Sequence, residues 1–162
     1  MGQIKEKILR VYFENPEKEF TIREISSLTK VPRATVHKKL KELKQEKYFE
    51  DELFFKIKKS NYYIEQIFSV GLIDYIVENL NPTCIILFGS FRKGEYDKNS
   101  DIDIFVESFI KKDLDLKKFE NKLGHKIDLF VETSLNKLNS NLFNNVVNGI
   151  KLYGSFKLKW EI

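Results

Sequence analysis

Gly89-Ser90, followed after ten residues by Asp101-Ile102-Asp103, brings together residue types that handle phosphate and metal. Glycine lets a ligand come close to the backbone. A serine hydroxyl adds a donor, and a helix starting beyond it would offer free N–H groups to phosphate oxygens. Two aspartates at alternate positions of a strand point the same way and repel each other unless a cation stands between them. Mg²⁺ suits such a pair, because it takes one or two carboxylates together with substrate phosphates. Asp128 repeats the pattern, and if its strand neighbours that of Asp101, three carboxylates reach one edge of a sheet. This is a place to hold a nucleoside triphosphate with divalent metal, which makes nucleotidyl transfer the first function to test.

Three apolar runs must position these groups. Cys84–Phe88 is too short for a buried helix and reads as a fully buried strand ending at the Gly-Ser turn. In Ile102–Val106 and Ile127–Val131 the isoleucines and Leu129 take the core face, leaving Asp103 and Asp128 on the other. A charged amphipathic helix is expected over residues 111–123, a helix with five asparagines over 135–147, and edge strands at 150–154 and 156–160. The order strand, helix, strand, helix, strand predicts a small α/β unit.

From Phe88 to Val106 the residues resemble the minimal nucleotidyltransferases of the DNA polymerase β superfamily, whose signature is Gly-Ser, a ten-residue gap and Asp-x-Asp. The resemblance spans residues 72–154. It implies a polymerase-β-like domain with a mixed sheet, a triphosphate held by Gly89 and Ser90, and two Mg²⁺ ions bound by Asp101 and Asp103. Asp128 then binds the catalytic metal or takes the acceptor proton. Relatives often carry Arg-Gly after the Gly-Ser; here Lys93-Gly94 stands there, so the charge is kept as a point donor instead of a planar fork. Arg92 and Lys93 are nucleotide-binding candidates, with a solvated surface loop as the other reading. The implied donor is an NTP, with ATP expected. The implied acceptors are a protein, as in antitoxins that modify a partner toxin, or a nucleic-acid end or a small molecule.

Charge divides the chain. Residues 1–60 carry fifteen Lys or Arg against ten acids, net +5, and the remainder is at −1. A basic first third points to an acidic partner. It reads as three helices and a hairpin. Ile4, Ile8, Val11 and Tyr12 make one helical stripe. Thr21 and Glu24 form a capping box that starts a helix burying Ile22, Ile25 and Leu28. A third helix from Arg33 to Glu46 turns Val36, Leu40 and Leu43 inward. Two short strands, Tyr48-Phe49 and 53–57, are expected around Glu50-Asp51-Glu52. This order resembles a winged helix-turn-helix domain. The resemblance implies double-stranded DNA as a partner, with Arg33, Thr35, His37, Lys38, Lys39 and Lys41 facing it, and pairing on palindromic sites adds a homodimer. Winged helices also serve as docking modules, and the acidic wing turn would be repelled by phosphate.

One cysteine, Cys84, excludes an intrachain disulfide, and the separated His37 and His125 give no zinc pattern. No apolar run approaches membrane-spanning length and the N-terminus lacks the apolar stretch of a signal peptide, so a cytoplasmic location is expected. The expected fold is α+β: a winged helix-turn-helix over 1–59, a connecting helix over 60–81 and a nucleotidyltransferase domain over 82–162. A DNA-binding regulator with a nucleotide-sensing domain is the reading from another class. The complete set of repelling aspartates argues for catalysis.

Overall fold

The computed structural model describes residues 2–158. Five helices come first: α1 (Gln3–Glu14), α2 (Ile22–Thr29), α3 (Arg33–Gln45), α4 (Glu52–Ser69) and α5 (Leu72–Leu80). A mixed unit follows: β1 (Cys84–Phe88), α6 (Gly89–Lys93), β2 (Ile102–Glu107), α7 (Lys117–Leu123), β3 (Ile127–Glu132), a 3₁₀ turn (Leu135–Lys137), α8 (Ser140–Val147) and β4 (Ile150–Gly154). The class is mixed α and β. No helix among the described residues is long and apolar enough to cross a membrane.

The four strands form one mixed sheet in the order β3-β2-β1-β4. β1 runs antiparallel to β2 and β4, whereas β2 and β3 are parallel, joined by the crossover through α7. The sheet separates two apolar layers. Ile85, Leu87, Ile102, Ile104, Val106 and Ile127 face one core, shared with Ile8, Phe13, Tyr63 and Ile67 of the N-terminal helices. Cys84, Ile86, Phe88 and Phe105 face the other, with Leu135 and Val146. The helical third therefore backs one face of the sheet, and α8 covers part of the opposite face.

The capping box at Thr21 and Glu24 is present, and α2, a left-handed Lys30 and α3 make a helix-turn-helix. The expected wing is absent. Residues 47–50 form turns and 53–57 lie inside α4. Asp51, read as part of a wing turn, is the N-cap of α4, its carboxylate accepting from Phe54 N at 2.9 Å. Asp is among the best N-caps and satisfies a backbone donor that a hairpin would leave to water. Helical winding then buries Lys59, Tyr62, Tyr63 and Ile67 together.

Other expectations are corrected in detail. The connecting helix over 60–81 is two helices, broken at Gly71, which is left-handed at φ +78°. In α1 the buried residues are Ile8, Leu9 and Phe13, and Ile4 is exposed, because the helix turns its Phe13 side toward Phe55 and Tyr62 of α4. In α2 Leu28 is exposed and Thr29 is buried, with its hydroxyl donating to Ile25 O. The helix expected over 111–123 is confined to α7. Phe156–Leu158 adopt no strand, and Lys159 and Trp160 lie outside the described residues.

Candidate active site

Alternation along β2 and β3 decides where the carboxylates go. Ile102 and Ile104 are buried in the helical core, which turns Asp103 to the α8 side. Ile127 does the same for Asp128. Parallel pairing makes Asp103 and Asp128 register partners on adjacent strands. On its other side Asp103 pairs with Phe88, the last residue before Gly89. The Gly-Ser turn and the two aspartates thus occupy neighbouring positions on three adjoining strand ends. Asp101 stands one residue before β2, half-buried, where the loop enters the strand.

Gly89 has φ +69°, and a β-carbon there would lie 2.0 Å from Asp103 Oδ2. The carboxylate rests directly over a bare backbone, so glycine is required sterically as well as conformationally. Ser90 is half-buried, and its hydroxyl makes no hydrogen bond among the described residues. Arg92 is half-buried, its backbone carbonyl accepting from Ser60 Oγ at 3.1 Å. Lys93 is exposed at the end of α6. Among the described residues neither cation is engaged in an ion pair. Phe88 and Phe130 pack with ring centroids 5.5 Å apart, an aromatic pair beside the aspartates that the alternation of β1 and β3 contains but that no motif marks.

Burial raises the Asp103 carboxyl above its ordinary value, and the charges of Asp128 and Asp101 raise it further. Such mutual repulsion is the electrostatic demand that a cation answers. Among the described residues no three His, Cys, Asp or Glu side chains are gathered closely enough to hold a metal ion, so Asp101 does not complete a three-carboxylate group with Asp103 and Asp128. The adjacent pair Asp103 and Asp128 fits a hard cation that takes one or two carboxylates and completes its shell with water and substrate oxygens, as Mg²⁺ does.

A second polar cluster lies where the helical third meets this unit. His125, buried at 5% exposure, is enclosed edge-on by Tyr63 and Phe91 at 5.1 and 5.0 Å. Its Nδ1 donates to Ser100 O at 2.7 Å, and Nε2 faces Glu14 Oε1 across 3.8 Å. The same carboxylate oxygen accepts from Arg10 Nε and from Tyr63 Oη. Burial pushes Glu14 up, but His125, Arg10 and Tyr63 outweigh it and hold the carboxyl at about 2. Only the Arg10–Glu14 pair, at i,i+4 spacing on α1, is local; Tyr63 and His125 join it through tertiary packing.

On α3, Arg33, His37, Lys38 and Lys41 are exposed, Thr35 and Lys39 are half-buried, and Lys39 pairs with Glu42 at 2.6 Å. His37 and Lys41 also border a concavity of about 790 Å³ lined by Tyr12, Phe20 and Leu40, remote from the aspartates.

No curated protein matches the chain. A solved crystal structure of a toxin-antitoxin with AMP-PNP is 30% identical, covering 52% of this chain and 71% of that one, with a TM-score of 0.43. The nucleotidyltransferase domain family matches residues 69–152, from the end of α4 to β4, which takes in the Gly-Ser turn and all three aspartates. The chain belongs to the nucleotidyltransferase domain family, and it is a transferase of the nucleotidyltransferase type.

Proposed function

We propose that this enzyme transfers AMP from ATP to a protein acceptor with Mg²⁺ held by Asp101, Asp103 and Asp128, and that the helical third binds double-stranded DNA. The observation that carries the catalytic reading is the register pairing of Asp103 with Asp128 beside the bare backbone of Gly89. That juxtaposition sets the Gly-Ser turn directly beside two carboxylates that can share a cation.

The acceptor oxygen attacks the α-phosphorus, the bond to the β-phosphate oxygen breaks, and pyrophosphate leaves. Gly89 admits the triphosphate close to the backbone, and the Ser90 hydroxyl donates to it. Arg92 and Lys93 neutralise the leaving phosphates. Asp128, exposed where Asp103 is half-buried, accepts the proton of the acceptor hydroxyl. Bound Mg²⁺ supplies charge neutralisation and a lowered acceptor pKa. The protein's own part is positioning and electrostatics, as in phosphoryl transfer generally.

The exposed edge carrying Asp128 and Phe130 supports a bulky acceptor, and a partner toxin protein fits that better than a small molecule. The exposed cations of α3 support DNA binding, with two copies on a palindromic site; the missing wing confines the contact to α3 and its turn. The division we propose is a helical DNA-binding part over 1–59, a connecting helical segment over 60–81 and a catalytic part over 82–162.

The test is incubation with α-labelled ATP, Mg²⁺ and candidate acceptors, beside an Asp101→Asn control. Label on a protein encoded next to this gene supports the reading. Label on RNA or DNA ends moves the acceptor to nucleic acid. No label on any acceptor favours a DNA-binding regulator whose second domain senses nucleotide.

A further inference from the structure

We infer that Glu14 and His125 are positioning residues for Asp101, so that the helical third braces the catalytic loop instead of merely sitting beside it. The inference rests on the catalytic reading of Asp101 above.

The loop from Tyr96 to Ser100 delivers Asp101 to the start of β2. One point of α1 and one of the β3 approach hold it. Lys98 N donates to Glu14 O at 2.9 Å, so the last residue of α1 fixes the middle of the loop by its backbone. The Glu14 carboxylate faces His125 Nε2, and His125 Nδ1 donates to the carbonyl of Ser100, the residue joined to Asp101. Inside the loop Asp97 Oδ1 accepts from Asn99 N at 2.8 Å, which closes a tight turn.

His125 has no other polar work. Its Nε2 is buried without a hydrogen-bond partner, and its ring is packed among Tyr63, Phe91 and Tyr96. An imidazole placed so deeply is costly unless its contacts matter. The ring stands between the end of α1, with Nε2 3.8 Å from the Glu14 carboxylate, and the peptide preceding Asp101, to which Nδ1 donates at 2.7 Å. Groups that hold the surroundings of a metal ligand fix its geometry, and their loss weakens metal binding by about 10–100-fold.

The full chain carries the test. The variants are His125→Leu, which removes the donor to Ser100, His125→Asn, whose side-chain amide donates from the position of Nδ1, and Glu14→Gln, which keeps the shape on α1. Hydrogen exchange at amides 98–103 and Mn²⁺ affinity in saturating ATP, by electron paramagnetic resonance, are the readouts. In His125→Leu and Glu14→Gln we expect exchange faster by about tenfold or more and Mn²⁺ bound about tenfold more weakly. His125→Asn is expected to restore both to within about threefold of wild type. Unchanged exchange in a folded His125→Leu or Glu14→Gln overturns the brace, as does failure of Asn to rescue where Leu is defective. Wild-type protein that binds no Mn²⁺ with ATP overturns the catalytic reading instead, and exchange alone then decides the brace.

Discussion

Asp103 lies over the α-carbon of Gly89 so closely that a methyl group there would stand 2.0 Å from its carboxylate oxygen. The Gly-Ser turn and the start of β2 are therefore one packed unit. Gly89→Ala should displace Asp103 and strain a backbone at φ +69°. We expect kcat/KM to fall about 10²-fold or more, with a stability loss of about 1–3 kcal/mol. Gly71→Ala is the control. It has the same backbone strain at φ +78° and nothing within 4 Å of the added methyl, so its cost should appear in urea unfolding and not in pyrophosphate release. Equal activity losses in the two variants would reject the steric argument.

The crowding of carboxylates gives a second prediction. Because the Asp103 carboxyl is raised in the fold, its ionisation opposes folding. Metal-free stability is full below the ordinary aspartate value and declines as pH rises through the raised one. Above that range Asp103→Asn should be more stable than wild type by about 0.5–2 kcal/mol in EDTA, while losing catalysis. Adding Mg²⁺ with ATP should raise the wild-type Tm and leave that of the variant in place. Thermal melts across pH 4 to 8, roughly the span over which carboxylates finish ionising, supply the check.

What sequence could say about this molecule follows from the range of the forces involved. β1, β2, β3 and the turn between them were legible because strand alternation and a Gly-Ser turn are local, and alternation alone put Asp103 and Asp128 on one face. Their register was not legible, since alternation within each strand says nothing of how two strands joined by a crossover are staggered. The wing failed for a local reason. Leu53–Ile57 is a short apolar run that suits strand or helix equally, and the deciding signal was Asp51 as a cap. The Glu14–His125–Ser100 line could not be read at all, because its three residues come from separate elements with no shared spacing.

Lys59 provides a prediction at alkaline pH. It is buried in α4, its Nζ donating to Tyr96 O and lying 4.3 Å from the Tyr96 ring, while Tyr96 Oη donates back to Lys59 O at 3.2 Å. Burial lowers its ammonium to about 8 despite the nearby Asp97 charge. Between pH 8 and the ordinary lysine value of 10.5 the unfolded chain holds a proton that the folded chain has released. Stability contributed by this group therefore rises with pH over that window. Urea unfolding of wild type and Lys59→Met from pH 7 to 10.5 should show this rise in wild type only. Parallel profiles would mean that Lys59 reaches solvent.

The basic face of α3 makes the last prediction. Each phosphate contact adds about 0.9 to the slope of log affinity against log salt on duplex DNA. Lys38 and Lys41 are exposed, whereas Lys39 is half-buried and held by Glu42. Lys38→Ala and Lys41→Ala should each lower the slope by about 0.9, and Lys39→Ala by clearly less, because removing it also releases an acid. On the proposed DNA-binding reading, and without a wing, α3 would supply most of the contacts, so the double variant Lys38→Ala with Lys41→Ala should lose binding at physiological salt. Gel shifts at several salt concentrations decide it: no shift at low salt in wild type, or a slope untouched by the double variant, removes DNA from the function of this domain.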